Sequence, residues 1–156
     1  MKYKNIVDFQ HDLPERLGVL MLNLGTPDAP TPTAVRRYLA EFLNDPRVVE
    51  MPRPVWWFIL HGVILRVRPA RSARAYQAVW TDRGSPLLDI ARRQSAGLRE
   101  RLTERIGPSV RVELGMRYGN PSVADALDRL KAAPVRHLLV LPLYPQYSAT
   151  TTASTF

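Results

Sequence analysis

The stretch that decides the fold class is Leu138-Leu-Val-Leu-Pro-Leu-Tyr-Pro-Gln-Tyr-Ser-Ala-Thr-Thr-Thr-Ala-Ser-Thr155. An apolar strand runs into a proline-broken aromatic turn and then into a hydroxyl-rich helix start. Open α/β sheets carry their ligand sites at the carboxyl ends of strands, where such a turn lies. The sequence stops one residue later, at Phe156. The expectation is a site begun within these 156 residues and completed by residues outside them.

Working outward from there, Leu17-Gly-Val-Leu-Met-Leu-Asn-Leu24 is a second continuous apolar run, closed by Gly25-Thr-Pro27. Runs of this kind suit strands buried on both faces. Thr31-Pro32 supplies an N-cap and first helical position, with Val35, Tyr38, Leu39 and Phe42 on one face and Asn44-Asp45-Pro46 as the stop. Ser85-Pro86 opens another helix, with Leu87, Ile90, Ala91, Leu98, Leu102 and Ile106 as its apolar side and Gly107-Pro108 as its end. Val110 to Met116 alternates like a strand, Asn120-Pro121 is expected to cap a helix bearing Val123, Leu127 and Leu130, and His137 to Pro142 reads as a buried strand. Strands alternating with helices imply an α/β protein with an open, doubly wound parallel sheet. About three strands is few for such a sheet, so the chain is expected to be the front part of a longer protein. Residues 1–16 are expected to form a flexible arm, and residues 17–156 the α/β domain.

Composition narrows the function. Apolar residues make up 46% and charged residues 23%, as in ordinary globular domains. There is no cysteine, which removes disulfides, thiolate metal sites and a cysteine nucleophile. The first residues carry no apolar h-region, so a cytoplasmic setting is expected. Net charge is +8, and only Lys2, Lys4 and Lys131 among the cations are lysines. Arginine's planar fork suits carboxylates and phosphates. The arginines are scattered over several helices and not interleaved with stacking aromatics, which argues against nucleic acid as a partner.

Val55-Trp-Trp-Phe-Ile-Leu-His-Gly-Val-Ile-Leu65 is the most apolar segment, followed by Arg66, Arg68, Arg71 and Arg74. It is too short to span a bilayer. A buried connecting helix explains its Leu and Ile; a helix seated at a membrane interface explains adjacent Trp residues and the basic flank. Both readings stay open at this stage.

Several segments offer ligand chemistry, each with a plainer explanation beside it. Gly84-Ser85 before a helix makes an anion site, or merely an N-cap. Met116-Arg-Tyr-Gly-Asn-Pro121 lies at a strand's carboxyl end; turn geometry explains Gly119 to Pro121 and leaves Arg117, able to grip a carboxylate, and Tyr118 without a structural reason. His11, His61 and His137 lack partners at ligand spacing, so no metal site is composed within the chain. Chemistry alone stops at the ligand-binding part of an α/β protein.

The ordered set of motifs resembles ferrochelatase, the enzyme that inserts ferrous iron into protoporphyrin IX to form protohaem, and in its Gram-negative bacterial style. The residues that carry it are Val19-Leu-Met-Leu-Asn-Leu-Gly-Thr-Pro27, Ile64-Leu-Arg-Val-Arg-Pro69, Tyr76, Gly84-Ser-Pro86, Gly115-Met-Arg-Tyr-Gly-Asn-Pro121 and Leu143-Tyr-Pro-Gln-Tyr-Ser148. The resemblance implies two similar Rossmann-like domains with a porphyrin cleft between them, of which this chain holds the first. It implies that Leu24 sits over the porphyrin face. Arg68, Tyr76 and Ser85 would line the cleft, and Arg117 and Tyr118 would lie in the inner site, near where metal enters. Residues 54–68 would be a lip touching the membrane that supplies the porphyrin. The family's metal-side His, in a Ser-Ala-His-Ser-Leu-Pro stretch, and its partner Glu match nothing here and are expected beyond residue 156. No catalytic residue is therefore assigned to this portion, and on its own it is expected not to turn over. Iron is a substrate in this chemistry. Ala149 stands where iron–sulfur-containing relatives carry a Cys, so this portion is expected to hold no cluster. The alternatives are a non-catalytic tetrapyrrole-binding module, a chelatase for another metal, and a membrane-surface protein acting through the lip alone.

Overall fold

The computed structural model describes residues 16–133 and 135–155. Of the expected N-terminal arm, residues 1–15, His11 among them, lie outside the described residues. Three strands form one parallel sheet: β1 (Leu17–Thr26), β2 (Arg111–Gly119) and β3 (His137–Pro142), in the order β2-β1-β3. Between β1 and β2 come α1 (Pro32–Asn44), α2 (Arg53–Ile59), a π-helical turn (Leu60–Ile64), α3 (Leu65–Val79) and α4 (Pro86–Ile106). A single helix, α5 (Val123–Ala132), links β2 to β3, and a short turn of helix, α6 (Thr152–Thr155), closes the described chain.

Each face of β1 buries a different set of side chains, which is why its sequence shows no polar alternation. Val19 and Met21 pack with Val112, Leu114 and Met116 of β2 against Ala91 of α4. Leu20 and Leu22 pack against Ala126 and Leu130 of α5. The sheet is thus covered on both faces, as a doubly wound fold requires. At about 1.5–3 kcal/mol for each large aliphatic side chain taken fully out of water, these two layers dominate the stability of the sheet.

Three expectations need correction. The buried stripe of α4 runs through Leu88, Ala91, Ser95, Leu98 and Leu102, whereas Leu87, Ile90 and Ile106 are exposed; a 21-residue helix against a short sheet offers more apolar positions than the sheet can cover. The N-cap of α5 is Ser122, whose hydroxyl accepts from the Asp125 amide at 3.1 Å, and Asn120–Pro121 is a cis turn before it. Most side chains of β3 are exposed or half-exposed, because it is an edge strand paired only with β1 among the described residues.

A third cluster lies outside the sheet sandwich. Val35, Tyr38, Leu39 and Leu43 of α1 pack with Trp56, Leu60, Leu65 and Ala73 from the α2–α3 arm and with Tyr118 at the end of β2. Pro69 sits inside α3.

Candidate functional site

The connection from β1 places β2 on one side, and the connection from β2 passes over β1 to place β3 on the other. Such a reversal of direction opens a crevice outside the carboxyl ends of the central strands. The residues there are Leu24, Gly25 and Thr26 from β1, Arg117 to Gly119 from β2 with Asn120 after it, and the turn that starts at Leu143. That turn is held down by the Leu143 amide donating to the Leu22 carbonyl at 2.7 Å. Gly25, with φ +111°, is required here, since a Cβ would overlap the Tyr118 carbonyl.

Leu24 and Tyr76 both pack, half-buried, on the cluster that contains Tyr118. Residues 24, 76 and 118, far apart in sequence, thus belong to one apolar cluster, with Tyr118 in its interior and Leu24 and Tyr76 at its edge. The Tyr38 hydroxyl donates to the Gly25 carbonyl at 3.3 Å. Burial pushes the ionisation of Tyr38, Tyr76 and Tyr118 upward, so all three remain neutral donors at physiological pH.

Arg117 joins this cluster through Tyr118 and Asp45. Its guanidinium carbon lies 4.8 Å from the Tyr118 ring centroid. Nη2 donates to Asp45 Oδ2 at 2.6 Å and Nε donates to the Ser154 carbonyl. The same Asp45 oxygen accepts from the Tyr118 hydroxyl at 3.1 Å. Within Tyr118's surroundings, burial is the main upward influence and Asp45 adds to it, while Ser154 and Arg117 work the other way. The Nε–Nη2 edge of the guanidinium is therefore occupied; Nη1 and the second Nη2 hydrogen remain.

Ser85 behaves differently from a simple cap. Its hydroxyl makes no capping bond to α4 and instead accepts from Thr26 Oγ1 at 2.9 Å, both residues being buried. This bond fastens the start of α4 to the end of β1, two residues beyond Leu24. Arg68 is exposed on α3, with no ion pair among the described residues. The structure thus brings together Leu24, Tyr76, Tyr118 and Arg117, ties Ser85 to the same strand end, and leaves Arg68 apart.

Two hollows of about 280 and 370 Å³ flank the strand ends and share Pro27, Asp28 and Asn120. Ser85 lines the larger one; Leu24, Arg68, Tyr76, Arg117 and Tyr118 line neither. Of the gathered side chains, Leu24, Tyr76 and Arg117 are partly exposed, and Tyr118 is fully buried behind them. Tyr144, in the turn after β3, has a buried hydroxyl without a hydrogen-bond partner among the described residues; Thr155 is near it but outside bonding geometry. No group of three or more His, Asp or Glu able to hold a metal occurs among the described residues.

Asp45, Thr26 and Ser154 were not legible as site residues. Asp45 reads in sequence as part of a helix stop, and its partners lie 72 and 73 residues away. Nothing in a local pattern announces them.

In the lip, the two tryptophans part company. Trp56 is 7% exposed and its indole N–H donates to the Leu43 carbonyl at 2.7 Å, whereas Trp57 is 54% and Phe58 70% exposed. Trp57 stacks on His61, ring centroids 4.9 Å apart. The buried-helix reading holds for the face that carries Trp56 and Leu60; Trp57 and Phe58 lie outside that packing. No helix among the described residues is long and apolar enough to cross a membrane.

Fold and site together define a parallel α/β domain with an apolar cluster, rich in tyrosine, at the carboxyl ends of its strands and an arginine bonded at its edge. The ferrochelatase family model matches residues 16–156. The chain is 60% identical over its whole length to the ferrochelatase of Marinobacter nauticus and 61% to that of Thioalkalivibrio sulfidiphilus, covering 42% of each. It is 62% identical over 141 residues to ferrochelatase 2 of Shewanella oneidensis, which is 90% of this chain and 43% of that protein. The chain belongs to the ferrochelatase family, and it spans about two-fifths of the length of the curated relatives it matches.

Proposed function

We propose that the full-length protein inserts ferrous iron into protoporphyrin IX, with this chain supplying the porphyrin-side wall. The observation that carries the reading is the convergence of Leu24, Tyr76, Tyr118 and Arg117 at one strand end in a chain of this family. A planar apolar macrocycle needs flat apolar contact, which Leu24 and the half-buried Tyr76 ring offer, and a few polar groups to fix its orientation. Its two propionates need cationic or N–H partners; Arg68, exposed and without an ion pair among the described residues, fits that role, and Ser85 with Gly84 shapes the wall at the start of α4. Arg117 lies deeper, partly exposed toward the macrocycle and backed by the buried Asp45 and Tyr118. Removal of the pyrrole protons needs a base, which we place outside this chain.

The lip supports peripheral docking on the cytoplasmic face of a membrane. Val55, Trp57, Phe58, Val63 and Val67 are exposed together on the α2–α3 arm, and Arg66, Arg71 and Arg74 follow on exposed turns of α3. Apolar insertion beside basic residues suits an anionic lipid surface.

The decisive experiment is anaerobic incubation of the purified full-length protein with protoporphyrin IX and ferrous iron. Loss of porphyrin fluorescence with growth of haem absorbance is expected from the full-length protein and not from residues 1–156 alone. Porphyrin binding with no metallation by the full-length protein would replace the enzyme reading with that of a binding module.

A further inference from the structure

Asp45 carries more connections than its place at a helix end requires. Its backbone already ends α1: the amide N–H donates to Phe42, and the carbonyl accepts from Val48 at 3.0 Å and Val49 at 3.1 Å. The side chain is left over from that task, and it is 6% exposed. Burying a carboxylate costs several kcal/mol unless hydrogen bonds and countercharge repay it. The repayment here is specific. Oδ1 accepts from the Arg47 amide at 2.8 Å, and Oδ2 accepts from both Arg117 Nη2 and the Tyr118 hydroxyl.

These partners sit between three parts of the molecule. The Asp45 loop leads into α2, whose Trp56 is bonded back to Leu43 of α1. Arg117 and Tyr118 end β2. The Nε of Arg117 reaches the Ser154 carbonyl in the terminal turn. With Nε and Nη2 engaged and Phe42 packed edge-on against the Tyr118 ring at 5.1 Å, neither side chain has rotamer freedom. Nη1 is the guanidinium nitrogen without a hydrogen-bond partner among the described residues.

We infer that Asp45 is a positioning residue for the porphyrin-processing site: its buried carboxylate locks Arg117 and Tyr118 into one geometry, in which Arg117 turns its Nη1 side to the ligand with its charge neutralised from behind. This rests on the chelatase reading above. It adds that Arg117, backed by the fully buried Tyr118, orients the macrocycle for metallation and does not anchor a propionate, because a guanidinium already neutralised by a buried carboxylate is a weak carboxylate clamp and a good orienting contact.

The test uses the full-length protein and the variants Asp45→Asn, Asp45→Glu, Arg117→Met, Tyr118→Phe and the double variant Asp45→Asn/Arg117→Met. Protoporphyrin affinity is read by fluorescence and metallation by single turnover of bound porphyrin. Asp45→Asn is expected to keep porphyrin affinity within about threefold while slowing metallation about 10–100-fold, the range for a misplaced reacting geometry. The double variant should be no slower than Arg117→Met. Tyrosinate absorbance gives a signature that loss of packing alone would not: the Tyr118 step moves to lower pH in Asp45→Asn and to higher pH in Arg117→Met, and disappears in Tyr118→Phe. If Asp45→Asn loses thermal stability, Asp45→Glu decides, since it restores the charge and should recover both the titration step and most of the rate. Wild-type metallation rate in Asp45→Asn, additive losses in the double variant, or a weakened porphyrin affinity matching the loss of rate would overturn the inference. No metallation by the wild-type protein would instead overturn the chelatase reading, while the opposed tyrosine shifts would still report on the Asp45 linkage.

Discussion

Leu17–Leu24 and Val55–Leu65 are the two most apolar stretches of this chain, and they end in opposite surroundings. The first becomes the central strand, covered by α4 on one face and α5 on the other. The second becomes the arm of α2 and the π-helical turn, which buries Trp56 and Leu60 and turns Val55, Trp57, Phe58 and Val63 outward. A strand between two helix layers needs apolar side chains on both faces; a helix laid on one cluster needs them on one stripe. The surplus apolar surface of the arm therefore has no structural task in the described residues. Contiguous exposed apolar side chains of that kind mark an interaction surface.

Substitutions can break this comparison at several points. Trp56→Ala should cost the most, about 3–5 kcal/mol of unfolding free energy, because it leaves a void in the α1–α3 cluster and an unpaired Leu43 carbonyl. Leu22→Ala in the sheet should follow at about 2–5 kcal/mol. Ser122→Ala, which removes the cap of α5 without touching either apolar region, should cost about 1 kcal/mol. Trp57→Ala should stay within about 0.5 kcal/mol of wild type yet abolish sedimentation of the full-length protein with anionic vesicles. Urea titrations rank the four, and equal costs for Trp56→Ala and Trp57→Ala would erase the distinction between the two faces of the arm.

Alkaline pH sharpens the same contrast. The α1–α3 cluster contains Tyr38 and Tyr118, and the two sheet clusters contain no tyrosine. Burial raises the ionisation of both hydroxyls above its ordinary place near pH 10. A raised folded-state pKa gives stability that is intact below the unfolded value and is lost as pH rises through the folded one. The arm should therefore loosen above about pH 10 before the sheet does. Trp56 fluorescence shifting to the red ahead of the loss of far-UV helix signal would show this order, and Tyr38→Phe should delay it.

Much of the fold was legible because it rests on local rules. The apolar runs marked β1 and β3, and Thr31-Pro32 and Ser85-Pro86 marked the starts of α1 and α4. The edge position of β3 was not legible, because strand composition does not say which strands pair with it. The stripe of α4 was misplaced by the same kind of limit: Leu87 and Leu88 are equally apolar, and only the packing partner decides between them. Of the candidate site, the strand-end motif pointed to Arg117 and Tyr118, and the family resemblance added Leu24, Arg68 and Tyr76. The bonds that set their chemistry were out of reach. Ser85 looked like a cap and is held by Thr26; Asp45 looked like a stop and is held by Arg117 and Tyr118.

Both regions can be put against one ligand in a single measurement. Protoporphyrin IX is titrated into the full-length protein without lipid, comparing Leu24→Asp at the strand end with Phe58→Asp on the lip. We expect Leu24→Asp to weaken porphyrin binding by at least about tenfold, equivalent to about 1.4 kcal/mol, and Phe58→Asp to leave it within about twofold. Wild-type affinity in Leu24→Asp, with the loss falling on Phe58→Asp, would move the porphyrin site to the lip and contradict the assignment of the strand ends as its wall.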